Sequence, residues 1–341
     1  RMIRFGLLQG WCVEKRITGL VLAHHGDDQI ETFALRLEAR SRACGLAAMA
    51  AVQPLHAVTL LRPMLDCKRC DIIKSAHALG LRWDEDPSNR NVNVRRVYFR
   101  TALREQPGLG ECFDNTVKPL RRWRDALEDR LGLWWHKNAA GAWNRWGGAS
   151  LRLDAFAELA PDVACHCFGQ LLMRVSGRMI PPRRAQSLRV LHAMTVDDFR
   201  RCSLAGCLLA KRGDRLQIDH EAMQPASCAI RIANHRLLWC NRFHVLAQNA
   251  PGQARIGACG EAHGGVIRQM FKKHEAPHGE TAILPSRAAC AALPGLWLGG
   301  TLIALPFCDP AHRVRPAGHP SRLPALHITS CARVASSKPY Q

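Results

Sequence analysis

The stretch His24-His25-Gly26-Asp27-Asp28-Gln29-Ile30-Glu31-Thr32 sets three carboxylates and an imidazole where one kind of sequence pattern hands over to another. Before it, Ile17-Thr18-Gly19-Leu20-Val21-Leu22-Ala23 is a short apolar run of the kind that forms a buried parallel strand. After it, Ile30, Phe33, Ala34 and Leu37 recur at helical spacing. Asp27, Asp28 and Glu31 therefore crowd the first turn of a helix, where the dipole favours negative charge. Positions 28 and 31 share one face of that helix. In an open α/β sheet, ligands bind at the carboxyl ends of the strands. Acidic residues at that edge can take a divalent cation, a substrate ammonium group or a proton in transit. Ordinary capping chemistry accounts equally well for the three carboxylates taken alone.

The string as a whole carries more. His-x-Asp-Asp-Gln-x-Glu-Thr after a strand resembles the second motif of the tRNA(Ile)-lysidine synthetases, in the PP-loop ATP pyrophosphatase superfamily. Further landmarks follow in order. Leu61-Arg62-Pro63-Met64-Leu65 resembles that family's Arg-Pro-Leu-Leu segment. A helix is expected next, with Ile72, Ile73, Ala76 and Leu79 on one apolar face and Gly80 as its C-terminal cap. Leu81-Arg82-Trp83-Asp84-Glu85-Asp86-Pro87-Ser88-Asn89 is similar to the family's Trp-x-Glu-Asp-Pro-Ser-Asn, and Arg96 and Arg100 fall where the family carries arginines.

Two departures stand beside these matches. PP-loop enzymes cradle ATP phosphates on a Ser-Gly-Gly-x-Asp-Ser loop, whose glycines let backbone N–H groups approach the phosphates at a helix N-terminus. That motif does not occur in this sequence, and the pairs Gly147-Gly148, Gly264-Gly265 and Gly299-Gly300 lack it. A single helix, Met2 to Lys15, is expected before the first strand. The expectation is a chain missing the first part of its nucleotide-binding domain. The second departure is Ala39-Arg40-Ser41-Arg42, where the family has an Arg-Gly-Ser-Gly-like turn. Arginine at a glycine position is strained wherever the loop needs positive φ.

The resemblance implies a two-step ligation on tRNA. ATP adenylates the C2 oxygen of the wobble cytidine in the CAU anticodon of tRNA(Ile), and L-lysine's amine then displaces AMP to give lysidine. By motif position His25, Asp27, Asp28 and Glu31 form the catalytic pocket. Asp28 and Glu31 are candidates for gripping the lysine ammonium or a Mg²⁺ ion. Arg62, Arg96 and Arg100 would face phosphate or the tRNA. ATP and Mg²⁺ are the implied cosubstrate and metal. The alternatives are a non-catalytic tRNA- or RNA-binding remnant, and another PP-loop tRNA-modifying enzyme such as a thiolase. The last would draw on cysteine pairs such as Cys67-Lys-Arg-Cys70, although the Trp83 to Asn89 segment argues against it.

Composition fits a nucleic-acid partner. Lys and Arg number 48 against 28 Asp and Glu, a net charge of +20 that attracts phosphate backbones. Clusters occur at Arg95-Arg96 with Arg100, at Lys118 to Arg124, and at Arg183-Arg184. Trp123 lies within the second cluster, where it could stack on a base, whereas Trp134 and Trp135 read as core anchors. No apolar run approaches the roughly 20 residues that span a bilayer, so no membrane partner is expected. The 15 cysteines are scattered, unlike a secreted disulfide scaffold, which points to a reduced, cytoplasmic protein. A homodimer, or completion by a further N-terminal segment, is expected.

The fold class expected is α/β: an incomplete doubly wound parallel-sheet PP-loop domain over 1–106, adenine nucleotide α hydrolase-like. A helical tRNA-binding domain follows over 107–198, then a small β-containing C-terminal domain over 199–310 and a poorly ordered tail over 311–341. Pro107-Gly108-Leu109-Gly110 supplies the first breaker cluster. Helices are expected over Arg122–Trp135, from Asp154, from Pro161, and over Ala185–Met194. Further on, Leu204–Ala210 and Arg215–Asp219 flank Lys211-Arg212-Gly213-Asp214, a hairpin signal. Short strands are expected at 237–239, 243–247 and 296–304.

Overall fold

The structure is a computed structural model that describes residues 2–84, 95–139, 143–144, 146–195, 199–222, 230–231, 236–248, 250–275, 284–305 and 325–330. It begins with α1 (Met2–Glu14), β1 (Gly19–Val21), α2 (Gly26–Glu38), α3 (Ala43–Leu46), β2 (Val52–Leu55) and β3 (Val58–Leu61). Next come α4 (Arg69–Ala78), α5 (Arg95–Glu105), α6 (Pro107–Ala139), β4 (Ala149–Arg152), α7 (Pro161–Ser176) and α8 (Arg184–Met194). Then follow β5 (Arg201–Leu204), β6 (Cys207–Arg212), β7 (Arg215–His220), β8 (Ile230–Arg231), β9 (Arg236–Trp239) and β10 (Phe243–Gln248). The last elements are β11 (Arg255–Ala258), α9 (Glu261–Glu275), α10 (Arg287–Ala291), β12 (Pro294–Leu298), β13 (Thr301–Ala304) and β14 (Ala325–Ser330). This is the expected α/β class. The chain forms two compact units, one of residues 19–55 and 59–133, the other of residues 1–18, 56–58 and 134–341.

The first of these units holds the sheet β1-β3-β2, in which β1 and β3 are parallel with Leu20 opposite Leu60. α2 follows β1 as its pattern requires, and Phe33 meets Phe113 of α6 edge-on at 5.1 Å. The buried face is rotated from the expected one, however. Leu37 is 47% exposed, while Asp28, Gln29 and Glu31 are buried. Gln29 is matched by the backbone of Met49, donating to its carbonyl at 2.8 Å and accepting from its N–H at 2.9 Å.

α4 ends as read, with Gly80 at φ 64°, but its expected apolar stripe is only half-covered and Leu79 is 72% exposed. The stretch read as a breaker opens α6. Pro107 stands at the helix start, where a missing N–H leaves no bond unmade. Arg40 has φ 52°, so the Ala39–Arg42 turn does hold an arginine in the left-handed region. Residues Glu85 to Asn89 of the Trp-Asp-Glu-Asp-Pro-Ser-Asn segment lie outside the described residues.

In the second unit, β4-β7-β6-β5 form an antiparallel sheet. The Lys211–Asp214 hairpin is present as β6–β7. The run read as one strand from Leu204 is divided by a turn at Ala205-Gly206, with φ 54° and 79°. α7 packs on this sheet through the fully buried Cys167, Phe168, Leu171, Leu172 and Val175. The helix expected from Asp154 is only a 3-10 turn, Leu153–Phe156. Trp134 is a core anchor, donating to the Ala155 carbonyl at 3.0 Å beside Phe156. Two further sheets, β13-β12-β11-β8 and β14-β10-β9, enclose Trp239, Phe243, Ile256 and Leu296. Within the tail expected to be poorly ordered, Ala325–Ser330 pairs antiparallel with β10; residues 306–324 and 331–341 lie outside the described set.

Candidate functional site

The end of β1 and the start of α2 place His25, Asp27, Asp28 and Glu31 together. His25 is the extended residue that precedes the helix, and its backbone N–H donates to Asp28 Oδ2 at 3.0 Å. This closes the helix start with the carboxylate that the dipole favours. Gly26 packs against the chain entering α4, donating its N–H to the Cys67 carbonyl at 2.8 Å. A Cβ at position 26 would stand 3.0 Å from that same oxygen. Asp27 then reaches the first turn of α4, where its Oδ2 accepts from the Arg69 N–H at 2.8 Å.

α5 supplies the counter-charges. Arg96 bridges the two inner carboxylates, with Nη2 2.7 Å from Asp28 Oδ1 and Nε 2.6 Å from Glu31 Oε2. Arg100 donates to Glu31 through Nε at 2.6 Å and Nη2 at 3.2 Å. Glu31 is 2% exposed and Asp28 9%. Carboxylates this deep persist as ions only when paired and hydrogen-bonded. The spacing of 28 from 31 and of 96 from 100, each on one helical face, makes that pairing possible. The shift of Arg100 is upward, through its bond to Glu31 above all, against the burial that opposes it.

His25 sits between Asp27 and Asp28, each ring nitrogen 3.5 Å from a carboxylate oxygen. The contact with Asp27 holds its pKa above the ordinary 6.5; burial pulls the other way, and the charges of Asp28, Asp27 and Glu31 add to the rise. Asp27 is held at about 2 by His25 and by the Arg69 backbone N–H, with burial opposing. A cavity of about 140 Å³ opens beside this cluster, lined by His25, Asp27, Ile30, Glu31, Arg69, Arg100, Leu103, Arg104 and Gly110. It presents carboxylates and guanidinium groups to one small space, which suits a ligand carrying both signs of charge.

Six of the seven residues singled out from the sequence thus come together, and Arg62 does not join them. Arg62 is buried, donating to the Ala50 carbonyl at 2.8 Å and to Gln53 Oε1 at 3.0 Å. Arg69 and Arg104 were not singled out. Arg104 continues the spacing of Arg96 and Arg100 along α5, a signal present in the sequence, whereas Arg69 depends on how α4 meets α2.

Asp28 and Glu31, the expected Mg²⁺ ligands, are engaged by α5 and the His25 backbone in this arrangement. Both oxygens of Asp28 and both of Glu31 already accept hydrogen bonds. Among the described residues no group of three His, Cys, Asp or Glu side chains could hold a metal ion, Cys67 and Cys70 included. Every described cysteine is a free thiol, and no described helix is long and apolar enough to cross a membrane.

Comparison with known proteins bears on this site. Residues 1–106 match the PP-loop domain family. Over 248 residues, 71% of this chain, the sequence is 29% identical to a tRNA(Ile)-lysidine synthase of Wolbachia pipientis wMel. It is 29% identical over 317 residues, 92% of this chain, to one of Ruegeria pomeroyi. A third, from the Wolbachia of Brugia malayi, is 30% identical over 248 residues, 71% of this chain. The matches span 57% of each Wolbachia protein's length and 71% of the Ruegeria protein's.

Proposed function

We propose, on the premise that this chain carries a PP-loop domain and is related to the tRNA(Ile)-lysidine synthases, that it serves ATP-dependent ligation of lysine to tRNA. The site proposed is the wobble cytidine of tRNA(Ile) with the CAU anticodon. The observation that carries the reading is the buried Asp28–Glu31 pair beside a cavity of mixed charge, at the end of a strand in a PP-loop domain.

Cytosine C2 is a poor electrophile until its oxygen becomes a leaving group. In the first step that oxygen attacks the α-phosphorus of ATP and diphosphate departs. In the second, lysine's ε-nitrogen attacks C2 and AMP departs with the C–O bond electrons. The amine must lose a proton to attack. His25, lining the cavity between two carboxylates, is the proposed acceptor. Asp27, ionised throughout the neutral range, orients the imidazole and attracts the ammonium group. Asp28 and Glu31 supply the negative field and hold α5 in place. Arg69, Arg100 and Arg104 line the same cavity and are suited to anionic groups, either lysine's carboxylate or a phosphate. ATP is proposed as cosubstrate, with Mg²⁺ as its counter-ion. No Mg²⁺ role is assigned to Asp28 or Glu31.

A second reading, that the chain binds RNA without turnover, is favoured by its net charge of +20, which attracts phosphate backbones whether or not chemistry follows. One experiment separates the two: transfer of labelled lysine to a CAU-anticodon tRNA(Ile) transcript, with ATP and Mg²⁺. It is run with the chain alone and with a Ser-Gly-Gly-x-Asp-Ser-bearing segment of a relative added. Transfer in either arm, lost in His25→Ala, supports the ligase reading. Intact tRNA binding with no transfer in both arms would favour the second.

A further inference from the structure

We propose that a row of arginines on one face of the β4-β7-β6-β5 sheet is a docking surface for the phosphate backbone of an RNA. Arg152 of β4 lies directly opposite Arg215 of β7, and Arg215 directly opposite Arg212 of β6. Arg201 of β5 stands opposite Ala210, two residues before Arg212 on β6. Alternate residues of a strand share a face, so all four arginines project from the same side of the sheet. Ser150, two residues before Arg152, is on that side too, and Arg215 donates to its hydroxyl at 2.9 Å and its carbonyl at 2.8 Å.

Like charges set directly across neighbouring strands destabilise a sheet. Three in succession therefore work against the fold unless something outside it answers them. The carboxylates nearby do so only in part. Asp154 takes the Arg152 guanidinium at 2.9 and 2.7 Å, and Asp214 lies 3.9 Å from the same side chain. Arg215 is held by Ser150, a neutral partner. Arg201 and Arg212 are exposed and have no ion pair among the described residues.

Four neighbouring strands cover about 14 Å at the usual strand spacing, enough to meet several phosphates of one strand of nucleic acid. Arginine's planar fork suits phosphate oxygens, and Ser150 already fixes the orientation of one such fork. The face also lacks what a protein or membrane partner uses. None of the exposed large hydrophobic residues lies in β4, β5, β6 or β7, so there is neither an apolar anchor nor a wedge for lipid. The surface is built from elements other than those of the acidic cluster, and the inference does not depend on the ligase reading.

The test is the affinity of the full chain for a fluorescent tRNA transcript, measured as salt is raised from about 50 to 200 mM. The variant is the double substitution Arg201→Gln/Arg212→Gln, at exposed positions that leave the core untouched. The control removes the same charge elsewhere, by Arg189→Gln/Arg255→Gln. The first variant should lower the slope of log K against log salt by about 1.5 and weaken binding on the order of tenfold at the low-salt end. The control should keep the parent slope. Equal losses in both variants would mean a general charge effect, and no loss in the first would leave the row without a role; either overturns the proposal. So would unchanged tRNA affinity with lost binding to phosphatidylserine vesicles. Lysine transfer is assayed in parallel. Its absence with the slope change intact would sink the ligase reading alone, and its presence without the slope change would sink this proposal alone.

Discussion

Arg100 meets Glu31 through two nitrogens, Nε at 2.6 Å from Oε1 and Nη2 at 3.2 Å from Oε2, at a point where Glu31 is almost wholly enclosed. The contact ties α5 to α2 across 69 residues of sequence, and Arg96 repeats it one turn earlier on α5. A buried carboxylate with two guanidinium partners is asymmetric in its response to mutation. Removing one arginine leaves the other, so Arg100→Met should cost about 1–2 kcal/mol. Removing the carboxylate leaves two arginines facing each other at its site, so Glu31→Leu should cost about 3 kcal/mol or more. Urea unfolding of the two variants checks the order. Equal costs would show that Arg96 does not share the load.

The imidazole of His25 owes its raised pKa first to Asp27, and burial opposes the shift. As a proton acceptor it must be neutral, so lysine transfer should rise with pH through a midpoint above the ordinary 6.5. Asp27→Asn removes the largest cause and should move that midpoint down. The accompanying stability has the opposite sense. The raised His25 stabilises the fold fully below its unfolded value and loses that contribution as pH rises through its folded one. Asp27, held at about 2, contributes above its ordinary 3.8 and loses it as pH falls through about 2, a gain that exposure limits to about 1 kcal/mol. A rate–pH profile of both proteins, with NMR titration of His25, measures this. A midpoint that stays fixed in Asp27→Asn would mean that another group accepts the proton.

The helix after β1 was legible because apolar spacing survives without knowledge of the partner, and α2 does run from Gly26 to Glu38. Its face was not. Spacing alone assigns Leu37 to the core, whereas Leu37 is exposed and Glu31 is enclosed. Glu31 is enclosed by Arg96 and Arg100, whose approach no local pattern encodes. The same limit applies to Arg62. Its motif position suggested a ligand contact, but the backbone of Ala50 and the side chain of Gln53 claim its guanidinium. Pro107-Gly108-Leu109-Gly110 departs from its pattern for a different physical reason. Proline and glycine read as breakers, yet proline at the first helical position is compatible with the turn, and α6 begins there.

Gly26 is where the cluster depends on a missing side chain. Alanine in a helix is ordinarily favoured over glycine by about 1 kcal/mol. Here the added Cβ would lie 3.0 Å from the Cys67 carbonyl oxygen, which the Gly26 N–H also uses. A backbone oxygen pinned by that bond cannot retreat as a flexible side chain would. Gly26→Ala should therefore destabilise by about 1 kcal/mol despite its better helix propensity, and should lower lysine transfer by displacing His25 and Asp27. A variant as stable as the parent, read by thermal unfolding, would mean that the Cys67 segment yields.

Arg40 tests the opposite case, a side chain where glycine is preferred. Its φ of 52° places it in the left-handed region, immediately after α2. For a residue with a Cβ that conformation costs roughly 1 kcal/mol, while glycine adopts it freely. The cost is offset in part because glycine gives the unfolded chain more freedom. The side chain is exposed and has no ion pair among the described residues, so little is lost by removing it. Arg40→Gly should stabilise the chain by about 0.5 kcal/mol, and Arg40→Ala, which keeps the Cβ, should not. The comparison of the two by chemical unfolding isolates backbone strain from lost charge. If alanine stabilises as much as glycine, the gain comes from relieving charge repulsion in a basic surface rather than from φ.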